Sequence, residues 1–196
     1  MSYQLTPWGY EVDGDLPPLI DADEFDALTG GKWSSDPRVP YVIAAASAAI
    51  RNACGWHVAP SAQCRATLDG DGMRSMWLPT TCLTGVTEVL VNGQTPTGIQ
   101  WSRIGQLQVD GAVPHGLQAA TVDYTAGFAA LPADVGLLVA DLVARGIALS
   151  YGVSSETSGD VSVSYTGTAA NAASASLTDA DLARLSQYRV VRSHAV

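Results

Sequence analysis

By residue type, Cys54, His57, Cys64 and Cys82 are the side chains of this sequence best suited to hold a metal. Thiolate sulfur and imidazole nitrogen are the usual tetrahedral zinc donors, and structural sites draw them from closely paired units such as C-x2-C. Here the spacing is C-x2-H-x6-C with a distant third cysteine, and no C-x2-C pair occurs. The simpler expectation is three reduced, mostly buried thiols, since cysteine is among the residue types most often buried. An odd cysteine count in a chain of ordinary size does not suggest a disulfide framework either. Asp69 and Asp71, in Asp69-Gly70-Asp71-Gly72, could offer oxygens to calcium. An EF-hand loop needs more oxygen ligands and a Glu at its twelfth position, and neither follows, so a turn is expected instead.

Nucleophilic catalysis needs a Ser or Cys beside a His and an orienting acid. The histidines are His57, His115 and His194. His115 lies in a Pro-His-Gly turn and His194 near the C-terminal end of the sequence. Gly152-Val153-Ser154-Ser155 lacks the second glycine of a nucleophile elbow. No phosphate-binding loop, dinucleotide fingerprint or HExxH occurs. Trp56, Trp77 and Trp101 could stack sugars or bases, but such residues more often anchor a core or an interface. No cofactor, metal or reaction is implied.

The elements that would carry these residues begin with a long helix over 131–152. Pro132 suits its first turn, and Asp134 places negative charge at the positive end of the helix dipole. Val135, Leu138, Val139, Leu142 and Leu149 form an apolar stripe at helical spacing. Gly136, Ala140, Ala144, Ala148 and Gly152 form a second stripe of small residues, which allows another backbone to approach in the same subunit or the next. An Ala-rich helix is expected from Pro37 or Arg38 to Ala53, capped by Asp36, with Val39, Val42, Ile43, Ala46, Ile50 and Ala53 on one face. A short helix over 22–29 starts with a capping box from Asp21 and Glu24, and Ile20 and Phe25 are placed as a staple. Thr178 and Asp181 cap a last helix, with Leu177 and Leu182 as its staple and Leu182, Leu185 and Tyr188 or Arg189 on its inner face.

Between the two long helices, residues 62–126 have the texture of strands. Two hairpins are expected, at the Asp69–Gly72 turn and at Asn92-Gly93, with further strands in SRIGQLQVDG and LQAATVDYTAG. Residues 1–20, with Pro7, Pro17 and Pro18, read as an irregular extended arm whose aromatics Tyr3, Trp8 and Tyr10 would dock on a surface. Residues 153–176 read as a projecting loop, with Val161, Val163 and Tyr165 alternating as a possible arm. The expected class is α+β: one domain over 1–196, a four-helix framework with a small antiparallel sheet or barrel inserted between its second and third helices.

Composition narrows the function. With 47% hydrophobic residues the chain can bury a core. No stretch reads as a membrane span or a signal peptide, so synthesis in a cytoplasm is expected. A formal net charge of -9 argues against a general nucleic-acid binder. The charge is polarised. Residues 1–36 hold eight acids against Lys32, whereas Arg184, Arg189, Arg192 and His194 follow Asp181 with no further acid.

Three stretches carry a resemblance: YVIAAASAAIRNACGW, VDYTAGFAALPADVGLLVADLVARGIAL and SLTDADLARLSQYRV. In their order and patterning they resemble the head-to-tail connector (adaptor) proteins of tailed bacteriophages, and the Ala- and Asp-rich composition resembles that of an actinobacteriophage protein. The resemblance implies a virion neck protein without enzymatic activity. It implies a ring, usually of twelve copies, below the portal, extending the channel for double-stranded DNA toward a stopper and tail. Arg184, Tyr188, Arg189, Val190, Val191 and Arg192 are then the expected portal contact, since the basic charge gathers there. A stopper or tail-completion protein is the neighbouring alternative. A cytoplasmic enzyme or β-rich ligand-binding domain is the alternative of another class.

Overall fold

The computed structural model describes residues 2–149, 155–158, 161–164 and 176–190. The chain divides into two compact units. One comprises Met1–Pro17, Arg51–Leu131 and Ser186–Val196, and the other Pro18–Ile50 and Pro132–Leu185.

The second unit is helical. Helix α1 (Ala22–Thr29) starts with the full Asp21–Glu24 capping box, because each side chain bonds the other's backbone N–H, and it ends at Gly30 in the left-handed region. Helix α2 (Val39–Cys54) starts slightly later than expected; Asp36 caps the turn before it by accepting from the Arg38 N–H at 2.9 Å. Val39, Ile43, Ala46 and Ile50 are buried at helical spacing. Helix α3 (Ala133–Leu149) buries Val135, Leu138, Val139, Leu142, Val143 and Ile147. Its apolar positions take up so much of its circumference that it must have neighbours on more than one side. A Cβ at Gly146 would lie 3.0 Å from Cγ1 of Val42, so α2 and α3 approach closely there. Helix α4 (Asp179–Arg184) has the Thr178–Asp181 capping box. Arg145 of α3 donates to Asp181 at 2.8 Å, tying α4 down.

The first unit is built on sheets. Strands β1 (Tyr3–Leu5), β2 (Glu11–Asp13), β3 (Ala62–Gly70), β5 (Leu83–Val91) and β8 (Gly116–Ala126) form an antiparallel sheet in the order β1-β2-β3-β8-β5. Strands β4 (Ser75–Trp77), β6 (Ile99–Trp101) and β7 (Gln106–Val109) form a second, in the order β4-β7-β6. Along β8, Ala120, Val122, Tyr124 and Ala126 are buried and alternate with half-buried Thr121, Asp123 and Thr125, so one face is core. On the other face Arg65 meets its register partner Asp123 through two hydrogen bonds of 2.6 and 2.7 Å. Strands β9 (Ser155–Ser158) and β10 (Val161–Ser164), which belong to the helical unit, form a separate antiparallel hairpin.

Three expectations need correction. The N-terminal arm is a regular hairpin, docked through β2 on the edge of β3. Neither expected hairpin pairs its own strands at length, because in each case the chain changes sheets. β3 ends in the first sheet and β4 begins in the second. Asn92-Gly93 does form a tight turn, with both residues at positive φ and Val91 and Gln94 exchanging bonds of 2.8 and 3.0 Å. The pairing stops there; Pro96, which has no N–H to donate, follows, and β6 pairs with β7 instead.

Candidate functional site

The end of the described chain is held by a buried polar and aromatic cluster of the β-rich unit. Trp56 is fully buried and its Nε1–H donates to the Tyr188 carbonyl at 2.6 Å. The Val190 N–H donates to the Cys54 carbonyl at 2.9 Å. Phe128 meets Tyr188 edge-on at 5.8 Å between ring centroids and packs on Trp56 at 6.0 Å. The last turn of α2 and the turn after it thus fix where residues 188–190 run.

Beneath this contact lies His57, with no exposed surface. Its Nε2 is 3.0 Å from the Ala126 carbonyl, which can only accept, so the ring proton sits on Nε2. Nδ1 therefore accepts from the Tyr10 hydroxyl at 2.8 Å, and that hydroxyl accepts from the His57 N–H at 3.0 Å. Burial lowers the His57 pKa to about 4, and the Arg51 guanidinium adds to the shift. Arg51 is itself buried and donates to the carbonyls of His57, Pro17 and Ala59 at 2.7 to 2.8 Å. Burial lowers its pKa to about 10. This cation is held by backbone carbonyl dipoles, and it ties the turn after α2 to the end of the N-terminal hairpin segment. Sequence reasoning missed it. The signal was its spacing, four residues after the buried Ser47 and eight after Ile43, on the inward face of α2.

These bonds decide the metal question for His57, whose two ring nitrogens are both occupied. Cys54, Cys64 and Cys82 are free and buried. Burial pushes the thiols of Cys54 and Cys64 up to about 12, which disfavours the thiolate that metal binding or nucleophilic attack requires. Asp69 accepts from the Gln118 N–H of the paired strand β8 at 2.7 Å, and Asp71 accepts from the Met73 N–H at 2.9 Å within its own turn. His115 is exposed beside Gly72. Ser154 and His194 lie outside the described residues. Trp56 is core, whereas Trp77 and Trp101 are 55% and 44% exposed on different strands of the second sheet.

Of the expected portal contact, Arg184 and Arg189 are exposed and Tyr188 and Val190 half-buried, while Val191 and Arg192 lie outside the described residues. Arg184 is 3.6 Å from Asp141. Of the small-residue stripe, Gly136 and Ala140 are buried, Ala144 is half-buried and Ala148 exposed. Gly152 lies outside the described residues. A close approach of α2 is seen at Gly146, which is not in the expected row. Val161 and Val163 lie on β10, and Tyr165 is outside the described residues.

Arg189 and Val190 also line an open groove of about 850 Å³. Its other walls come from the Trp8-Gly9 turn, residues 66–69 of β3, residues 77–81 and Ile104, all of the β-rich unit. Ile104 and Trp77 are 58% and 55% exposed. The Thr81 hydroxyl is buried without a hydrogen-bond partner among the described residues.

Among the described residues no helix is long and apolar enough to cross a membrane. The comparison with curated proteins gives no match. The family model of the head completion protein matches residues 19–176. Among solved structures, the chain is similar to a protein of the neck of a native GTA particle computed with C12 symmetry, with a TM-score of 0.54 and 19% identity over 100% of this chain and 99% of the other. It is also similar to a protein of the neck of an empty GTA particle computed with C6 symmetry, with a TM-score of 0.52 and 17% identity over 95% and 98% of the two chains. The chain belongs to the head completion protein family.

Proposed function

From that membership, we propose that the chain is the head-to-tail adaptor of its particle. Copies assemble as a ring of twelve below the portal, extend the channel for double-stranded DNA and present a platform to the stopper and tail. The observation that carries this reading is the similarity of fold along the entire chain to a protein of a neck computed with C12 symmetry. The charge distribution supports it. Four acids on or beside α1 (Asp21, Asp23, Glu24 and Asp26) oppose the basic segment that contains Arg184 and Arg189, and a ring requires two unlike, complementary surfaces on each copy. A formal charge of -9 suits a conduit that does not retain DNA. The protein makes no sequence-specific DNA contact, needs no cofactor and catalyses no reaction.

The segment of Arg184, Tyr188, Arg189 and Val190, continued by Val191 and Arg192, meets the portal. The β9–β10 hairpin meets a neighbouring copy, as does the outer end of the α3 stripe at Ala144 and Ala148. Deleting residues 189–196 tests the portal contact. The shortened protein should fold but no longer attach to portal-bearing heads; undiminished attachment would remove the basis for placing the portal at this end.

A further inference from the structure

Two surfaces, one on each unit, match each other in shape and charge. The first is the open groove of the β-rich unit. It is mostly apolar, with Trp77 and Ile104 exposed in it, and the formal charges among its lining residues are Arg189 and Asp69. Asp69 accepts from the Gln118 N–H through Oδ1, and among the described residues no bond to its second oxygen is seen. An apolar slot that ends in a free acceptor suits a side chain with an apolar body and a donor at its tip, as tyrosine has. The second surface is on the helical unit. Tyr41, in the first turn of α2, is 80% exposed, more than any other aromatic side chain among the described residues. Pro40, next to it, lines a small cleft together with Asp23 and Asp26 of α1, so the phenol and two carboxylates share one patch. A closed ring needs two unlike surfaces on every copy, and these two are unlike and complementary. One sets acids beside a protruding tyrosine, and the other sets an arginine beside an apolar slot with an acceptor.

We propose that the groove of each copy receives Tyr41 of the neighbouring copy. The phenol packs on Trp77 and Ile104, its hydroxyl donates to Asp69, and Arg189 on the rim faces Asp23 and Asp26 of that neighbour. The contact rests on the ring reading and deepens it by naming what joins one copy to the next. An aromatic side chain buries about 150–250 Å², and each partner gives roughly 800 Å² to a stable contact, so Tyr41 is an anchor within a larger interface. Arg189 then serves the ring as well as the basic segment to which it belongs.

The experiment uses portal-bearing heads and a mixture of two full-length proteins, Tyr41→Cys and Ile104→Cys, treated with a short bis-maleimide. The native cysteines are buried and leave little background. A product of twice the subunit mass from the mixture, and none from either protein alone, is the expected result. A second measurement titrates single variants onto the heads. Tyr41→Ala should raise the concentration that half-fills them at least about thirtyfold, the loss of an interface anchor. Tyr41→Phe, which loses only the hydroxyl bond, should raise it about fivefold, and should change nothing further when Asp69→Ala is already present. Tyr41 and Ile104 are exposed, so these changes leave the fold of the subunit intact. Rings on the heads without the mixed cross-link, or rings that fill as readily with Tyr41→Ala, would overturn this contact and leave the ring reading standing. Heads that gain no ring from the native protein would overturn the ring reading, and this contact with it.

Discussion

Acid should weaken the β-rich unit through a single residue, and the effect can be isolated. His57 is buried and neutral, with its pKa lowered from 6.5 to about 4 by burial and by the nearby Arg51. Above pH 6.5 it is uncharged in both folded and unfolded chains and contributes no pH dependence. As pH falls from 6.5 toward 4, the unfolded chain takes up a proton that the folded chain refuses, so stability is lost. At pH 4.5 that gap spans roughly 2 pH units, or about 2–3 kcal/mol at 1.36 kcal/mol per unit. Protonating Nδ1 would also remove the acceptor of the Tyr10 hydroxyl. The comparison variant is His57→Gln, whose amide can still donate toward Ala126 but does not titrate. At pH 7.5 it should be less stable than the native chain by about 1–3 kcal/mol, the cost of the lost Tyr10 bond. At pH 4.5 the difference should nearly vanish or change sign. Urea unfolding followed by tryptophan fluorescence is suited to the test, because Trp8, Trp56, Trp77 and Trp101 all lie in this unit and only Trp33 in the other. A difference between the two proteins that stays constant from pH 7.5 to 4.5 would refute the buried, neutral His57.

Arg51→Met removes the donor to three carbonyls and should destabilise the same unit by about 3–5 kcal/mol in urea titrations, far more than a surface arginine would. Gly105→Ala should cost about 2–4 kcal/mol by the same assay. Gly105 has φ +88°, and an added Cβ would stand 2.5 Å from the Thr80 carbonyl oxygen. Thr178→Ala should cost about 1 kcal/mol and raise amide hydrogen exchange in α4 selectively, because the hydroxyl caps the Asp181 N–H. Ala140→Leu, at a buried position of α3, should lower stability by about 1–3 kcal/mol. Ala148→Leu, at the exposed end of the same row, should leave the melting temperature unchanged and lower the yield of rings seen by electron microscopy.

Local signals in the sequence were reliable where one side chain acts on its own backbone. Both capping boxes form with the residues that predict them, and Asn92-Gly93 makes its tight turn. Partner choice was not legible. The residues after Asp69–Gly72 and after Gly93 read as returning strands, yet each joins the other sheet, because pairing is decided by distant strands such as β7 and β8 rather than by the turn. The stripe from Gly136 to Gly152 raised the expectation that α3 has close neighbours. A close approach to α2 is seen at Gly146, outside that row, since an actual crossing point depends on both helices. Arg51 was hidden for a related reason. A single base in an Ala-rich helix looks like a solvated residue until the carbonyls of Pro17, His57 and Ala59 are brought around it by the fold. Tyr10 and His57, 47 positions apart, share one hydrogen-bond network that no local pattern announces.

The central claim is that copies of this chain form a ring on the portal. Cryo-electron microscopy of portal-bearing heads incubated with the purified protein, reconstructed without imposed symmetry, tests it most directly. The expected result is twelve copies in a closed ring bound directly to the portal, with the segment from Arg184 to Arg192 at the contact. Density that appears only when a separate adaptor is already present, or a single copy without ring contacts, would contradict it.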